Sequence, residues 1–365
     1  MAQGVTAALQ TGERRIEVQT LPRPDHVGDD EALLAVEANG MCGTDWEQYK
    51  GRLSGHAPYP LIPGHEIVGR IAAIGDGAAV RTGVTVGDRV AVESTVPCET
   101  CTACRAGRFL FCSNRVIYGL TPMAQGPALS GGYAEVLVLR PKTRVYKLPE
   151  HLSTEDAVFF NPLGSGFDWA VRIAGTVVGD TVVILGPGQR GLSSVIAAKE
   201  AGAGRIIVVG RGRRPWKLEL ARSLGATDII DSDTTDVVGA VRDITGGDMA
   251  DRVVDTTPLA VQPMLDAVGA VRAEGTVVLA AIKEGEGAPG FTDMVTSKAL
   301  TVRGAHSVSE WAKHQAIRVL AAGTYDLSAL HTHTLPITEL DQAMRILGGE
   351  VEGEEAMHIT VRAGR

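Results

Sequence analysis

Residues 181–191 read TVVILGPGQRG, an apolar run followed at once by three spaced glycines. The run Thr181–Leu185 is typical of a buried strand, and a helical stretch begins directly after the last glycine. In a strand–turn–helix unit, Gly186 permits the tight turn, Gly188 leaves the backbone open to an approaching anion, and Gly191 lets the helix pack on the strand. Because the N-terminus of the helix then faces a phosphate, the stretch predicts a dinucleotide-binding loop.

The sequence around this loop alternates between strands and helices. Strands are predicted at 181–185, 205–209, 228–230, 252–255, 276–281 and 300–303, and helices at 192–201, 216–224, 237–245 and 260–268. This alternation predicts a parallel, doubly wound α/β sheet. The first 150 residues instead carry short apolar runs between Gly, Pro and Asp, which predicts mostly β structure. After 305, helices at 309–322 and 337–347 and a strand at 358–362 leave the alternation, and we expect them to fold back onto the first region.

The residues after the second strand bear on the choice of nucleotide. An NAD site usually places Asp or Glu there to hold the ribose hydroxyls. This chain has Gly-Arg-Gly-Arg-Arg at 210–214, and no carboxylate follows before Glu219. Since a guanidinium binds phosphate in a forked geometry, we expect NADP to be preferred over NAD. The alternative is an NAD site flanked by solvated arginines. The predicted cofactor-binding residues are Gly186, Gly188, Gln189, Arg190, Gly191, Arg211, Arg213 and Arg214.

Four of the five cysteines form a second motif, with the spacing C-x2-C-x2-C-x7-C. The residues are Cys98, Cys101, Cys104 and Cys112. Four thiolates on one short lobe can close a tetrahedral zinc site that keeps no open position. We therefore predict a structural zinc lobe at 97–113 rather than a disulfide framework.

A catalytic metal site is predicted from two segments in the first region. Cys42 and His65 each stand beside glycine at the end of a predicted strand, and a thiolate and an imidazole are both zinc ligands. Asp45 is placed to orient His65 through its carboxylate. Glu66 is a candidate third ligand or an outer partner of the site.

Composition narrows the classes of function. The chain has 365 residues, 44% of them hydrophobic, which is enough for two globular domains. A formal net charge of −8 argues against nucleic acid or an anionic membrane as the main partner. The sequence contains no apolar run long enough to span a bilayer and no secretory segment, so we expect a cytoplasmic protein.

Through these motifs, the sequence resembles the zinc-dependent medium-chain alcohol and polyol dehydrogenases over nearly its whole length. The segments 64–66, 69 and 75–78 are similar to that family's zinc motif, the cysteine cluster to its structural zinc lobe, and the three glycines to its coenzyme loop. The resemblance implies a GroES-like β-barrel catalytic domain at 1–163 and 306–365, with a Rossmann domain inserted at 164–305. It also implies two zinc ions per chain and a homodimer or homotetramer.

The resemblance further implies hydride transfer between an alcohol and NAD(P), with zinc as the Lewis acid. Thr44 matches the family's hydroxyl that passes on the proton of the substrate. Glu47 stands where the family usually has the next proton carrier, a histidine. Glu47, His56 or the cofactor ribose could serve instead. Polar residues near the metal favour a polyol or sugar over a long aliphatic alcohol, and simple secondary alcohols remain candidates.

The third zinc ligand departs from the family. Asn161 occupies the position that the family fills with Cys, Asp or Glu, and an amide oxygen is a poorer zinc ligand than a carboxylate. Asn161 could coordinate the metal, it could hold a metal-bound water, or Glu66 could become the ligand. We favour Glu66 or water over direct coordination by Asn161.

Three histidines near the C-terminus carry weaker expectations. His331 and His333 are spaced like one face of a strand, and we expect them to face solvent. By resemblance, His358 is a basic residue near the coenzyme phosphates, with a surface histidine as the alternative.

Two rival functions stay open. One is a zinc-free quinone or enoyl reductase of the same fold, against which both zinc motifs argue. The other is a non-catalytic nucleotide-binding protein, which only the Asn161 departure supports.

Overall fold

The computed structural model of this chain describes residues 4–285 and 287–364, which divide into two compact units. The first unit contains residues 4–160, 320–322 and 327–364. The second contains residues 161–319, apart from residue 286, together with 323–326.

The first unit begins with short strands and short helices. Its strands are β1 (Gly4–Gly12), β2 (Arg15–Pro22), β3 (Ala32–Gly40), β4 (Glu66–Ile74), β5 (Arg89–Val92), β6 (Thr95–Val96), β7 (Val116–Ile117), β8 (Val136–Leu139) and β9 (Val145–Lys147). Its helices are α1 (Gly43–Tyr49), α2 (Asp76–Thr82), α3 (Thr102–Arg105) and α4 (Thr154–Val158), with 3₁₀ turns at Phe109–Phe111 and Met123–Gln125.

The second unit alternates helices and strands. Its helices are α5 (Phe160–Gly166), which continues as a π-helix (Phe167–Ile173), α6 (Gln189–Glu200), α7 (Pro215–Leu224), α8 (Val237–Ile244), α9 (Gln262–Ala270), α10 (Phe291–Ser297) and α11 (Glu310–Ala322). Its strands are β10 (Thr181–Leu185), β11 (Arg205–Gly210), β12 (Asp228–Asp231), β13 (Ala250–Asp255), β14 (Val271–Leu279) and β15 (Thr301–Gly304). The chain then returns to the first unit with β16 (His331–Pro336), α12 (Leu340–Leu347) and β17 (His358–Arg362), and with 3₁₀ turns at Ser328–Leu330 and Ile337–Glu339.

The main sheet of the first unit is mixed. Within the described residues its order is β16-β17-β3-β4-β5-β9, and β8 also pairs with β3. β17 lies antiparallel to β3, with Thr360 opposite Gly40, so the returning C-terminal segment completes this sheet. β3 is buried over most of its length and β4 over its first four residues, and Leu34 and Ile67 are fully enclosed. The ends of these two strands therefore place the residues that follow or precede them at the core of the unit.

The sheet of the second unit is parallel throughout its described strands, in the order β12-β11-β10-β13-β14-β15. Continuous apolar runs suit strands that are covered on both faces, and Val183, Ile207, Val253 and Val277 are completely buried. The predicted doubly wound parallel sheet is confirmed. The strand order reverses between β10 and β13, and ligands of such sheets bind at the carboxyl ends of the strands beside this point.

Local differences from the prediction have local causes. α1 directly follows β3 where only a strand end was expected, because Cys42 and Asp45 cap it reciprocally. α10 replaces an expected loop, since its apolar positions Phe291, Met294 and Val295 pack on the core of the second unit. β14 begins before residue 276 because its pairing with β13 shifts register, with Glu274 in the left-handed region at φ 60°.

Candidate active site

Cys42 and His65 meet because the strands beside them are paired. Cys42 lies just beyond the end of β3, His65 just before β4, and Gly40 lies opposite Glu66 in the antiparallel register. Sγ of Cys42 is 3.1 Å from Nε2 of His65. Ligands bound to one zinc ion at about 2.3 and 2.0 Å across a tetrahedral angle lie roughly 3.5 Å apart. The two atoms therefore face one point at a spacing close to that of zinc ligands.

Asp45 contacts both of these residues. Its Oδ2 accepts a hydrogen bond from the backbone N–H of Cys42 at 2.9 Å, and its Oδ1 lies 3.5 Å from Nδ1 of His65. The donor atoms of Cys42, Asp45 and His65 all lie within 4.8 Å of one another. With Nδ1 facing a carboxylate, the His65 ring presents Nε2 to the sulfur, which is the arrangement of a histidine that binds metal.

The electrostatics of this pair suit a cation. Burial alone lowers the pKa of His65, but the Cys42 sulfur and the Asp45 carboxylate outweigh it and hold the pKa well above its usual value. The buried groups thus stabilise a positive charge between sulfur and ring nitrogen. A divalent cation bound there would take the place of that proton, so the donor set fits zinc.

Thr44 and Glu47 lie on α1 beside the metal-binding pair. The backbone N–H of Thr44 donates to Sγ of Cys42 at 3.4 Å. The Glu47 carboxylate forms ion pairs with Lys50 at 2.9 Å and Arg52 at 3.1 Å, and its side chain is partly exposed. If Glu47 carries a proton, it does so while its carboxylate is paired with the side chains of Lys50 and Arg52.

Glu66 lies outside the metal-binding group formed by Cys42, Asp45 and His65. Its backbone N–H donates to Oδ1 of Asn39 at 3.0 Å. A Cβ built on Gly40 would lie 2.8 Å from Oε2 of Glu66 and 3.0 Å from Nε2 of His358, so these two buried atoms converge on the glycine. The group of described residues able to hold a metal here contains Asp45 in addition to Cys42 and His65, and it leaves Glu66 out.

The expectation that His331 and His333 face solvent is wrong. The His331 side chain is 9% exposed, with Nε2 2.9 Å from Asp156 and Nδ1 3.3 Å from Nδ1 of His358. The ring of His333 lies 2.9 Å from Glu354. The cause is the pairing of β16 with β17, which places His331 opposite His358. His358 is fully buried, which excludes the surface alternative for it.

Asn161 lies in the second unit, at the start of α5. Its backbone oxygen accepts a hydrogen bond from Oγ of Ser165 at 3.1 Å. The third position at the catalytic metal stays a prediction.

The clustered cysteines form a second metal-binding group. Their sulfur atoms lie within 4.8 Å of one another, and all five cysteines of the chain are free of disulfides. The backbone N–H of Cys98 donates to Sγ of Cys112 at 3.3 Å, and that of Cys101 to Sγ of Cys98 at 3.4 Å. Hydrogen bonds from Thr100 and from the Cys101 N–H lower the pKa of Cys98 to about 5. Burial and the neighbouring thiols raise the pKa of Cys104 instead, so it is the convergence of the four sulfur atoms that makes this group fit zinc.

The glycine loop after β10 has the shape of a nucleotide cradle. Gly186 is in the left-handed region at φ 99°, where glycine avoids strain. A Cβ on Gly191 would lie 1.8 Å from the backbone oxygen of Gly186, so the helix can pack only with glycine there. Around Gly188, among the described residues beyond its own neighbours, no atom lies within 4 Å of such a Cβ. That space leaves room for a phosphate at the start of α6.

The other two predicted loop residues begin α6. The Arg190 guanidinium donates to the Ser165 hydroxyl and lies 5.6 Å from the centroid of the Trp169 ring. The Gln189 backbone oxygen accepts from Ser193 at 2.7 Å.

A carboxylate that was not predicted from the sequence lies beside the arginine loop after β11. Asp231, at the end of the neighbouring β12, accepts a hydrogen bond from the Gly212 N–H at 2.7 Å through Oδ1. Its Oδ2 accepts from the Thr234 hydroxyl at 3.0 Å. Both oxygens therefore bind groups of the protein. The side chains of Arg211, Arg213 and Arg214 follow as exposed residues of the loop.

Two functional positions thus escaped the sequence reading, and each had a usable signal. Asp231 ends a parallel strand, and the carboxyl ends of parallel strands meet at one edge of the sheet. Asn39 is near the end of β3, next to the metal-binding segment, and its side chain accepts a hydrogen bond from the backbone N–H of Glu66.

In the part of the chain that the structure describes, no helix combines the length and apolar character needed to cross a bilayer.

Comparison with known protein families gives two matches that together span more than half of the chain. The family described as "Alcohol dehydrogenase GroES-like domain" matches residues 28–150. The family described as "Zinc-binding dehydrogenase" matches residues 191–322. The predicted pairing of a GroES-like domain with a Rossmann domain is confirmed.

Full-length similarity points the same way. The chain is 42% identical over 360 residues to a probable alcohol dehydrogenase of Mycobacterium tuberculosis, covering 97% of both chains. It is 32% identical over 346 residues to the sorbitol dehydrogenase of Bacillus subtilis, covering 94% of this chain and 93% of the relative. A zinc-binding dehydrogenase from Sinorhizobium meliloti, solved with NADP bound, superposes with a TM-score of 0.86 at 25% identity and 99% coverage of each chain.

Proposed function

Because this chain belongs to the zinc-type medium-chain dehydrogenase/reductase family and is an oxidoreductase that acts on alcohols, we propose that it uses NADP and a catalytic zinc ion to oxidise a polyol, a sugar or a simple secondary alcohol. The observation that carries the proposal is the 3.1 Å between Sγ of Cys42 and Nε2 of His65. A buried sulfur and ring nitrogen that face one point beside a carboxylate are a donor set that fits a zinc ion.

The residues of the chain have separate tasks in this reaction. Cys42 and His65 hold the zinc ion, and Asp45 keeps the His65 ring oriented. Zinc supplies Lewis acidity to the site, and NADP supplies the carbon that accepts the hydride. Thr44, beside Cys42, would relay the proton of the substrate hydroxyl, receiving it as its own hydroxyl proton is passed on. Glu47, one turn along α1, passes that proton towards solvent.

Water, rather than a third side chain, would complete the zinc site. Oε2 of Glu66 faces Gly40 and His358, which argues against Glu66 as the ligand in this arrangement. That Asn161 would hold this water stays a prediction from the sequence. An uncharged third position leaves the site more positive than a carboxylate would, which favours the ionised form of an alcohol and weakens metal binding.

The preference for NADP is supported by the loop after β11. Arg211, Arg213 and Arg214 expose three cations where an NAD site would have a carboxylate. Asp231 lies beside this loop, but its two oxygens already accept hydrogen bonds from Gly212 and Thr234. A similar protein of known structure carries NADP.

The remaining features follow from the same proposal. The sulfur cluster holds a second, structural zinc ion, giving two per chain. The chain forms a homodimer or homotetramer in the cytoplasm, where its cysteines stay reduced.

A substrate screen tests this function. Zinc-loaded protein is assayed with NADP and with NAD against simple alcohols, polyols, aldoses and β-hydroxy acids, with Cys42→Ala as the matched control. We expect NADP reduction with a polyol or sugar, its loss in Cys42→Ala, and its loss on dialysis against a chelator before the protein unfolds. Activity that survives removal of the catalytic metal would favour a zinc-free reductase. Nucleotide binding without turnover of any alcohol would favour a non-catalytic protein.

A further inference from the structure

The nucleotide crevice of the second unit has two halves that the sheet order distinguishes. The glycine loop follows β10, and the arginine loop follows β11 on one side of it. A dinucleotide with its pyrophosphate on the glycine loop and its adenosine beside the arginines must place its nicotinamide over β13 and β14, on the other side. The loops that follow these two strands, 256–259 and 280–283, therefore flank the nicotinamide half.

Lys283 connects these two loops. Its Nζ lies 2.8 Å from Oδ2 of Asp255, at the end of β13, and donates to the backbone oxygen and the hydroxyl of Thr257. The Thr257 hydroxyl in turn donates to Oδ1 of Asp255 at 2.6 Å. The Asp255 side chain is fully buried and that of Lys283 is 10% exposed. Lys283 thus makes three contacts here, an ion pair with Asp255 and two hydrogen bonds to Thr257.

The segment that Lys283 holds reaches the glycine loop directly. Thr256 donates through Oγ1 to the backbone oxygens of Leu185 at 2.9 Å and Gly186 at 3.1 Å. A Cβ on Gly186 would lie 2.8 Å from the methyl group of Thr257. The segment is therefore anchored to the glycine loop at Thr256, independently of Lys283, which fixes the following residues.

The same two loops carry a strained backbone and exposed apolar side chains. Leu259 has φ 67°, a conformation that a leucine adopts only where its surroundings enforce it, and its N–H donates to the backbone oxygen of Ile282 at 3.0 Å. Leu259 is 45% exposed and Ile282 is 80% exposed, both at the carboxyl edge of the sheet. An apolar surface at this edge suits the flat ring of a nicotinamide.

We propose that Lys283 is a positioning residue for the nicotinamide half of the dinucleotide site. Through its ion pair with Asp255 and its hydrogen bonds to Thr257, it fixes the loops after β13 and β14 in the arrangement that receives the ring. This inference rests on the proposed function, because it needs a dinucleotide to bind at the glycine loop.

The test separates the two halves of the nucleotide. Binding of NADP, of NAD and of the fragment adenosine 2′,5′-bisphosphate, which lacks the nicotinamide half, is measured by calorimetry for the wild type and for Lys283→Met. We expect Lys283→Met to raise the Kd for NADP by about tenfold, since a positioning error of this kind is costly. The Kd for the fragment should stay within about twofold, because the adenosine half is untouched.

A matched control removes the effect of lost stability. Lys298 also makes three contacts, to the backbone oxygens of Val268, Gly269 and Val271, but at the amino end of β14, away from the crevice. Lys298→Met should lower the melting temperature and leave both Kd values unchanged. Lys283→Arg should recover most of the NADP affinity.

If Lys283→Met folds poorly because Asp255 is left as an unpaired buried charge, the double variant Asp255→Asn with Lys283→Met restores neutrality and should still bind NADP weakly. Equal weakening of NADP and of the fragment, or no weakening of either, would overturn this inference alone. A wild-type protein that binds neither NADP nor NAD would overturn the proposed function and this inference with it.

Discussion

At the scale of single residues, the site depends on side chains that serve two purposes. The Asp45 carboxylate caps α1 through the Cys42 N–H with one oxygen and faces Nδ1 of His65 with the other. One group therefore links the position of the thiolate to the orientation of the imidazole. A carboxylate that orients a metal-binding histidine in this way affects the affinity for the metal without binding the metal itself.

Replacing Asp45 should reveal this role. Asp45→Asn keeps the size of the side chain but removes the charge facing His65, so we expect zinc affinity at the catalytic site to fall about ten- to a hundredfold. Competition with a chromophoric chelator measures this affinity. Asp236→Asn is the control, because Asp236 caps α8 through the Gly239 N–H at 3.1 Å, away from any metal site. Equal zinc affinity in wild type and Asp45→Asn would contradict the role.

At the scale of elements, the two metal groups have different supports. The catalytic pair is held by the register of two long buried strands, β3 and β4. The cysteine cluster is held by α3, a 3₁₀ turn and N–H···S hydrogen bonds within one short segment. Its folding should therefore depend on metal far more than the folding of β3 and β4 does.

Two cysteine variants should separate these supports. Cys112→Ser removes a fully buried ligand of the lobe, so we expect one zinc ion per chain to be lost and the free energy of unfolding to fall by roughly 3 kcal/mol. Turnover per folded molecule should remain. Cys42→Ser, its matched control, should lose the other zinc ion and turnover with little change in stability. Metal analysis, denaturant titration and kinetics distinguish the two, and loss of turnover in both would argue against separate tasks.

The arginine loop gives a second prediction at this scale. A Cβ on Gly212 would lie 2.1 Å from Oδ2 of Asp231, so Gly212→Ala must displace the carboxylate that holds the loop. We expect the KM for NADP to rise about tenfold while kcat changes little. Gly304→Ala is the control, since none of the described atoms outside its own neighbours comes within 4 Å of a Cβ there. An unchanged KM would mean that the loop does not position its arginines for NADP.

At the scale of the whole molecule, acid stability depends partly on contacts between distant segments. The hydrogen bond from His331 lowers the pKa of Asp156 and joins α4 to β16, which are 175 residues apart in the sequence. A lowered folded pKa stabilises the protein above the unfolded value of about 3.9. This stabilisation is lost as the pH falls below about 3.9 and through the lower pKa that Asp156 has in the folded protein.

The Asp156→Asn variant should therefore lose less stability than the wild type as the pH falls from 5 to the point where the protein unfolds. The free energy of unfolding, obtained from urea titrations at several pH values, measures this difference. His331→Gln removes the partner and should give the same flatter profile. The double variant should add nothing further, and an additive effect would show that the two groups act separately.

Much of the architecture was readable from residue order. The alternation of apolar runs and helical stretches after residue 180 predicted the parallel sheet, and TVVILGPGQRG predicted its nucleotide loop. The helix boundaries of α6 to α9 fell within a few residues of the structure. α1 and α10 were missed because capping and packing partners, rather than composition, make those short segments helical.

Residue order was sufficient wherever the interacting groups are neighbours along the chain. The cysteine cluster and the glycine loop are of this kind, since their spacing alone limits what the backbone can do. Folding was needed for Asp231 beside the arginine loop, for the buried pair of His331 and His358, and for the ion pair of Lys283 with Asp255 at the end of β13. These contacts join segments that come together only when strands pair. The pattern of apolar residues within one strand does not determine which strand it pairs with, or which side chains then lie beside it.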